Sequence, residues 1–266
     1  SAETEWSNGS ESKVRLISPS SHNNNLSEIY LGLEYQLQEG WKTYWKSPGD
    51  GGFPQEITWS NSENIKALEI LWPTPSYFEI LGFKSIGYYK NVIFPLKITL
   101  EDVNKLSSIN LNLNYLTCKE ICIPGNANLN LKILPGKGDL NKYSFYIEQA
   151  LSKIPSESKD LNFIEHSSAN ISTNNDIISL QFSVKSSKLF KDPLIFLHTD
   201  QGLPVVKPQI RLSSNSKEIL AKFNFNKKLI NNKTIKSEFI LVDKDKRYLF
   251  AETIQAKNNN IAKGYN

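Results

Sequence analysis

Ile109-Asn110-Leu111-Asn112-Leu113-Asn114-Tyr115 sets apolar and polar side chains in strict alternation. Successive side chains of an extended strand point to opposite faces, so a period of two describes a strand with one face in a core and one in solvent. The pattern recurs in both directions from this stretch, at 29–37 and 92–100 upstream and at 129–133 downstream. Turn-forming clusters separate the runs, among them Ser47-Pro48-Gly49-Asp50-Gly51-Gly52 and Pro73-Thr74-Pro75. Short strands at this spacing predict a β-sandwich.

The alternation breaks at Leu134-Pro135-Gly136-Lys137-Gly138-Asp139. Residues 142–154 carry Phe145, Ile147, Ala150, Leu151 and Ile154, a spacing that predicts one short helix ending before Pro155. After Asn162 the period of two returns, at 177–184, 194–198, 219–225, 239–242 and 248–254. The expected class is therefore all-β: a first sandwich over 10–136, a linker with a short helix over 137–160, and a second sandwich over 161–258. All five Trp lie before residue 73 and both Cys before residue 123, so the first half is the expected active one.

A chain of 266 residues accommodates two such units, and 39% hydrophobic residues are enough for real cores. The net charge of +4 is mild and no block of like charges occurs, which argues against nucleic acid as a partner. No apolar run approaches the roughly 18 residues of a membrane span, so the chain is not expected to cross a bilayer. Met is absent, and the opening Ser1-Ala2-Glu3 fits a chain trimmed after a signal peptide or expressed as a piece. No Ser-His-Asp order, Gly-rich phosphate loop or His-Glu-x-x-His motif is present.

The chemistry concentrates in Tyr115-Leu116-Thr117-Cys118-Lys119-Glu120-Ile121-Cys122-Ile123-Pro124. Residues four apart in a straight strand sit roughly 13 Å from each other, whereas a disulfide needs Cα atoms about 4.4–6.8 Å apart. If the pair bonds, the three residues between must turn and present the bridge at a strand end, with Pro124 expected to interrupt pairing just beyond. So small a loop restricts the unfolded chain little, which favours a redox couple over a structural staple. Lys119 and Glu120 nearly balance in charge, so access rather than an acidic thiol is expected to govern reactivity. A Zn or Cu(I) site is the other option for two thiolates, but Met is absent and His22, His166 and His198 have no motif spacing to the pair. No metal or cofactor is expected.

In order, Gly40-Trp41-Lys42-Thr43-Tyr44-Trp45-Lys46-Ser47-Pro48-Gly49-Asp50, then Leu71-Trp72-Pro73, then Gly87-Tyr88, then 115–124 form a series. Together they resemble the N-terminal periplasmic domain of the DsbD and ScsB thiol:disulfide interchange proteins, over roughly residues 10 to 135. They are most like the ScsB-like branch and its stand-alone relatives, described as cytochrome c biogenesis factors. The resemblance implies an immunoglobulin-like sandwich in the periplasm that carries electrons through Cys118 and Cys122. A membrane-embedded thiol reductant would reduce the pair, and thioredoxin-fold periplasmic proteins would receive the electrons through a mixed disulfide, with Cys118 the expected sulfur. A cap would fall near 78–83, with Phe78, Leu81 or Phe83 over the sulfurs, and Tyr44 and Tyr88 would line the site. Trp41, Trp45 and Trp72 are expected in the core.

Two departures stand beside the resemblance. DsbD separates its cysteines more widely, and the membrane and thioredoxin domains of the larger family members are not in this sequence, which suits either a fragment or a stand-alone relay. Two competing readings are a non-catalytic periplasmic binding or assembly module with a structural bridge, and a copper-handling protein, since ScsB-type proteins are linked to copper tolerance.

Overall fold

The alternating segments become strands in the computed structural model, which describes residues 1–230 and 234–255. In the first unit these are β1 Ser12–Ile17, β2 Glu28–Leu37, β3 Lys42–Tyr44, β4 Glu56–Thr58, β5 Ile65–Ile70, β6 Ser76–Ile80, β7 Phe83–Tyr89, β8 Asn91–Leu100, β9 Ser107–Cys118 and β10 Cys122–Ile133. One sheet runs β1-β2-β8-β5; the other runs β10-β9-β3-β7-β6, with β4 also pairing with β9.

The inward positions of β2, β8 and β9 fill the space between the sheets. Leu31, Leu33, Tyr35, Phe94, Leu96, Ile109, Leu111, Leu113 and Tyr115 are all buried. Tyr35 joins the two layers: its ring meets Phe94 at 5.3 Å and Tyr115 at 5.2 Å, both edge-on. Edge-to-face contacts are the favoured arrangement of such rings. Trp45 is fully buried, and Trp72 meets Phe94 edge-on at 5.5 Å. Outward positions on β9 and β10 carry asparagines, which pair across the strands through Asn112 to Asn128 and Asn126 to Asn114.

The predicted helix is α1, Lys142–Ser152, started by the Asn141 side chain accepting from the Tyr143 amide at 2.8 Å. It is no free linker. Tyr143 and Ile147 pack with Ile17 on the outer face of the first sheet, joined by Tyr30, Ile93 and Leu151. Gly32 lies beneath, where an added Cβ would come within 2.9 Å of both Ile17 and Ile93. Arg15 fixes the same corner, with its Nε 2.6 Å from Glu34 and its guanidinium 4.2 Å from the Trp6 ring and 5.3 Å from that of Tyr143. Phe145, counted above with the apolar stripe, stays exposed. The chain divides between Ile154 and Pro155, so the stretch expected as linker contributes its helix to the first unit.

The second unit holds β11 Ser156–Glu157, β12 Ile164–Asn174, β13 Ile177–Ser186, β14 Pro193–Thr199, β15 Gln209–Leu212, β16 Glu218–Asn226, β17 Thr234–Asp243 and β18 Lys246–Gln255. Its sheets, β11-β18-β17-β14 and β12-β13-β16-β15, enclose Phe182, Phe223, Phe239 and Phe250. The rings of Phe182 and Phe239 stack at 4.1 Å. Residues 256–258, the end of the expected second sandwich, lie outside the described residues.

Both units are thus β-sandwiches, and the first depends on its interlayer rings. Phe94→Ala should lower stability by about 3–5 kcal/mol, read as a fall in urea midpoint with unchanged slope for the first unit's transition.

Candidate functional site

Counting along β9 locates the cysteines. Leu111, Leu113, Tyr115 and Thr117 face the core, so Leu116 and Cys118 fall on the opposite face of the sheet. At Cys118 the chain turns through Lys119, Glu120 and Ile121, closed by the Lys119 amide donating to the Ile121 carbonyl at 2.9 Å. Cys122 then opens β10 directly opposite Cys118, and the two form a disulfide with Cα atoms 4.1 Å apart. The turn that a bond between them required is a hairpin. Pairing continues through Pro124, opposite Leu116, instead of stopping there. β10 is an edge strand of its sheet, where a residue without an amide hydrogen is tolerated.

The two sulfurs have different surroundings. Cys118 has no exposed surface, whereas Cys122 is exposed beside Ile121, itself 62% exposed. Cys118 is covered by side chains from β3 and from the β6–β7 hairpin: Tyr44 and Ile80 are buried with it, and Phe78 and Leu116 pack against them. The Tyr44 hydroxyl donates to Cys118 Sγ at 3.2 Å. Burial pushes the Tyr44 hydroxyl above its ordinary pKa, and Ser85 draws it part of the way back. The Phe78 ring lies 6.3 Å from that of Tyr44 and carries Lys42 Nζ on its other contact at 5.6 Å.

Of the residues singled out from the sequence, Cys118, Cys122, Tyr44 and Phe78 come together here. Leu81 and Phe83 are far more exposed than Ile80, and Phe83 pairs directly with Ile80 across the hairpin. They sit at the hairpin tip, 57% and 51% exposed, with Leu81 at φ 53° in the left-handed region and Gly82 at φ 82° after it. Ile80 takes the covering position, because Phe78 and Ile80 are two apart and share a face. Tyr88 is elsewhere for the same reason of parity. It stands opposite Thr43, on the core side, where its ring meets Phe94 at 5.0 Å and its hydroxyl donates to the Pro73 carbonyl at 2.6 Å. The sequence reading missed Ile80, whose alternation with Phe78 was the available signal, and Ser85, which had none. Among the described residues no group of three or more His, Cys, Asp or Glu gathers as a metal site, and no helix is long and apolar enough to cross a membrane.

Residues 14–133 match the family model described as "Thiol:disulfide interchange protein DsbD, N-terminal". The first sandwich is a DsbD-type N-terminal domain. The whole chain resembles the crystal structure of the N-terminal periplasmic domain of ScsB from Proteus mirabilis, with a TM-score of 0.75 and 26% identity over 96% of this chain and 98% of that one. A match to the Enterococcus faecalis MSCRAMM ACE, at 8% identity and a TM-score of 0.17, carries no argument. No curated protein sequence matches the chain. The matched residues span both cysteines and the β6–β7 hairpin that covers Cys118; the second sandwich lies beyond them and within the ScsB likeness.

If Ile80 limits access to the bridge, Ile80→Ala should speed its reduction by dithiothreitol several-fold while the fold persists. Timed alkylation of the released thiols measures the rate, and an unchanged rate would remove Ile80 from the cover.

Proposed function

We propose that this chain works in the periplasm as a thiol–disulfide exchange protein, taking electrons from a membrane-embedded thiol reductant and passing them to thioredoxin-fold proteins. The observation that carries this reading is the unequal exposure of the bridge, with Cys122 open at a hairpin turn and Cys118 wholly covered. Exchange proceeds by in-line attack of a thiolate on one sulfur of a disulfide, so access to a single sulfur fixes the order of events. The DsbD-type family and the likeness to a periplasmic ScsB domain support the same reading.

In the reduced protein, the Cys122 thiolate attacks a partner's disulfide and displaces one partner thiolate. The Cys118 thiolate then attacks Cys122 Sγ, closes the 118–122 bond and releases the partner with both of its sulfurs reduced. Two electrons have moved to the partner, and the domain is oxidised. A dithiol reductant restores it: one thiolate attacks Cys122 and displaces Cys118 as a thiolate, and the reductant's second thiolate then attacks its own sulfur in the mixed disulfide, releasing Cys122 and leaving the reductant as a disulfide. Exposure therefore favours Cys122 as the sulfur of the mixed disulfide, in place of Cys118 as first expected.

Three measurements test this. The 118–122 potential should lie above about −300 mV, the level below which structural disulfides usually fall. Cys118→Ser should accumulate a mixed disulfide with an oxidised thioredoxin-fold protein through Cys122, visible on a non-reducing gel. Cys122→Ser should accumulate none. A lower potential with slow exchange would leave a stapled binding module.

A further inference from the structure

We propose that the Tyr44 hydroxyl is a catalytic hydrogen-bond donor that holds Cys118 as a thiolate whenever the 118–122 bond opens. The inference rests on the exchange reaction proposed above and gives a chemical task to a side chain that otherwise reads as packing. Tyr44 Oη lies 3.2 Å from Cys118 Sγ. A disulfide sulfur carries no hydrogen, so the phenol must be the donor. The pair is shut away from water, with Tyr44 only 3% exposed and Cys118 not at all.

The reaction explains why a donor is needed there. As an incoming thiolate attacks Cys122 Sγ, a new S–S bond forms, the Cys118–Cys122 bond breaks, and its electron pair leaves on Cys118 Sγ. That sulfur becomes an anion with no solvent around it. Burial alone disfavours the charged form, raises the thiol pKa and makes a poor leaving group. A neutral donor already aimed at the sulfur offsets this without burying a second charge. In the opposite direction the same anion is the nucleophile that attacks Cys122 in the mixed disulfide. The departing partner carries off the electron pair as its own thiolate, and protons are exchanged with water. Tyr44 therefore serves both directions.

Such a donor must keep its proton, and burial ensures that it does, since the Tyr44 hydroxyl sits above its ordinary pKa. Behind it lies Ser85, whose Oγ is buried without a well-formed hydrogen bond and which partly offsets the burial of the phenol. Buried hydroxyls are seldom left in that state. The charged groups near Cys118 are placed differently. Lys42 stands across the ladder, with Nζ 3.4 Å from the Gly40 carbonyl and 5.6 Å from the Phe78 ring centre, while Lys119 and Glu120 are exposed in the turn.

The test uses the full chain and dithiothreitol as the probe. Tyr44→Phe keeps the ring and removes the donor, and it should slow reduction of the disulfide roughly ten- to a hundredfold, the worth of one hydrogen bond to a charged group. In the Cys122→Ser background, where Cys118 is the only thiol, Tyr44→Phe should raise the Cys118 pKa, read from thiolate absorbance at 240 nm. A packing role would leave that pKa where it was. Ser85→Ala is the second variant, expected to slow reduction a few-fold while the fold persists. Unchanged rates together with an unchanged Cys118 pKa would overturn the role of Tyr44. Slow exchange in the unaltered protein would instead overturn the reaction, and the pKa shift would then still report on the hydrogen bond.

Discussion

Side-chain parity along β9 is the constraint on which the rest of the first unit depends. Leu111, Leu113 and Tyr115 must face inward to close the sandwich, and the ladder with β10 fixes their register. With that register set, Cys118 cannot point into the core. It emerges on the outer face of the sheet, where an apolar sulfur would meet water unless another element covered it. The β6–β7 hairpin and Tyr44 supply the cover. Slipping the register by one residue would reverse every side chain of β9 at once, so the hydrophobic effect that builds the core also holds the disulfide in place.

The same geometry argues that the bridge does little for stability. A cross-link lowers the entropy of the unfolded chain in proportion to the logarithm of the loop it closes. Here the loop has three residues between the cysteines, and the strands on either side are already paired over their full length. The interlayer rings, by contrast, each remove a large apolar surface from water, worth about 1.5–3 kcal/mol apiece. The domain therefore stands on its core, and the bridge contributes little to that stability. The covering hairpin also has a cost built in: Leu81 occupies the left-handed region, which disfavours side chains with a Cβ by roughly 1–2 kcal/mol, and its side chain gains no burial in return.

Strands were legible because a period of two survives in a single sequence, as 109–115 and 129–133 illustrate. The cysteine hairpin was legible because four residues of separation admit a bond only through a turn. What the sequence hid were the places where one residue of parity decides the outcome. Phe78, Ile80, Leu81 and Phe83 are all apolar, and only the position of a two-residue turn determines that Ile80 faces the sulfur and Leu81 does not. Tyr88 is placed at the site by the resemblance alone, yet its pairing with Thr43 turns it to the core. The helix was found, but its docking on the first sheet was not, since that depends on Ile17, Gly32 and Ile93 from distant strands. Pro124 was read as a stop because nothing local says that β10 lies at an edge.

These features meet in the inequality between the two sulfurs. The hairpin turn leaves Cys122 at the surface, while Tyr44 and the β6–β7 hairpin cover Cys118. Had both been open, any small thiol could attack either sulfur, and the electron pair could depart from either. Had both been covered, exchange would require opening the domain. With one of each, the exchange proposed above begins at Cys122 and leaves the electron pair on Cys118, beside a phenol already turned toward it. In that proposal the order of bond-making and bond-breaking follows from strand geometry alone.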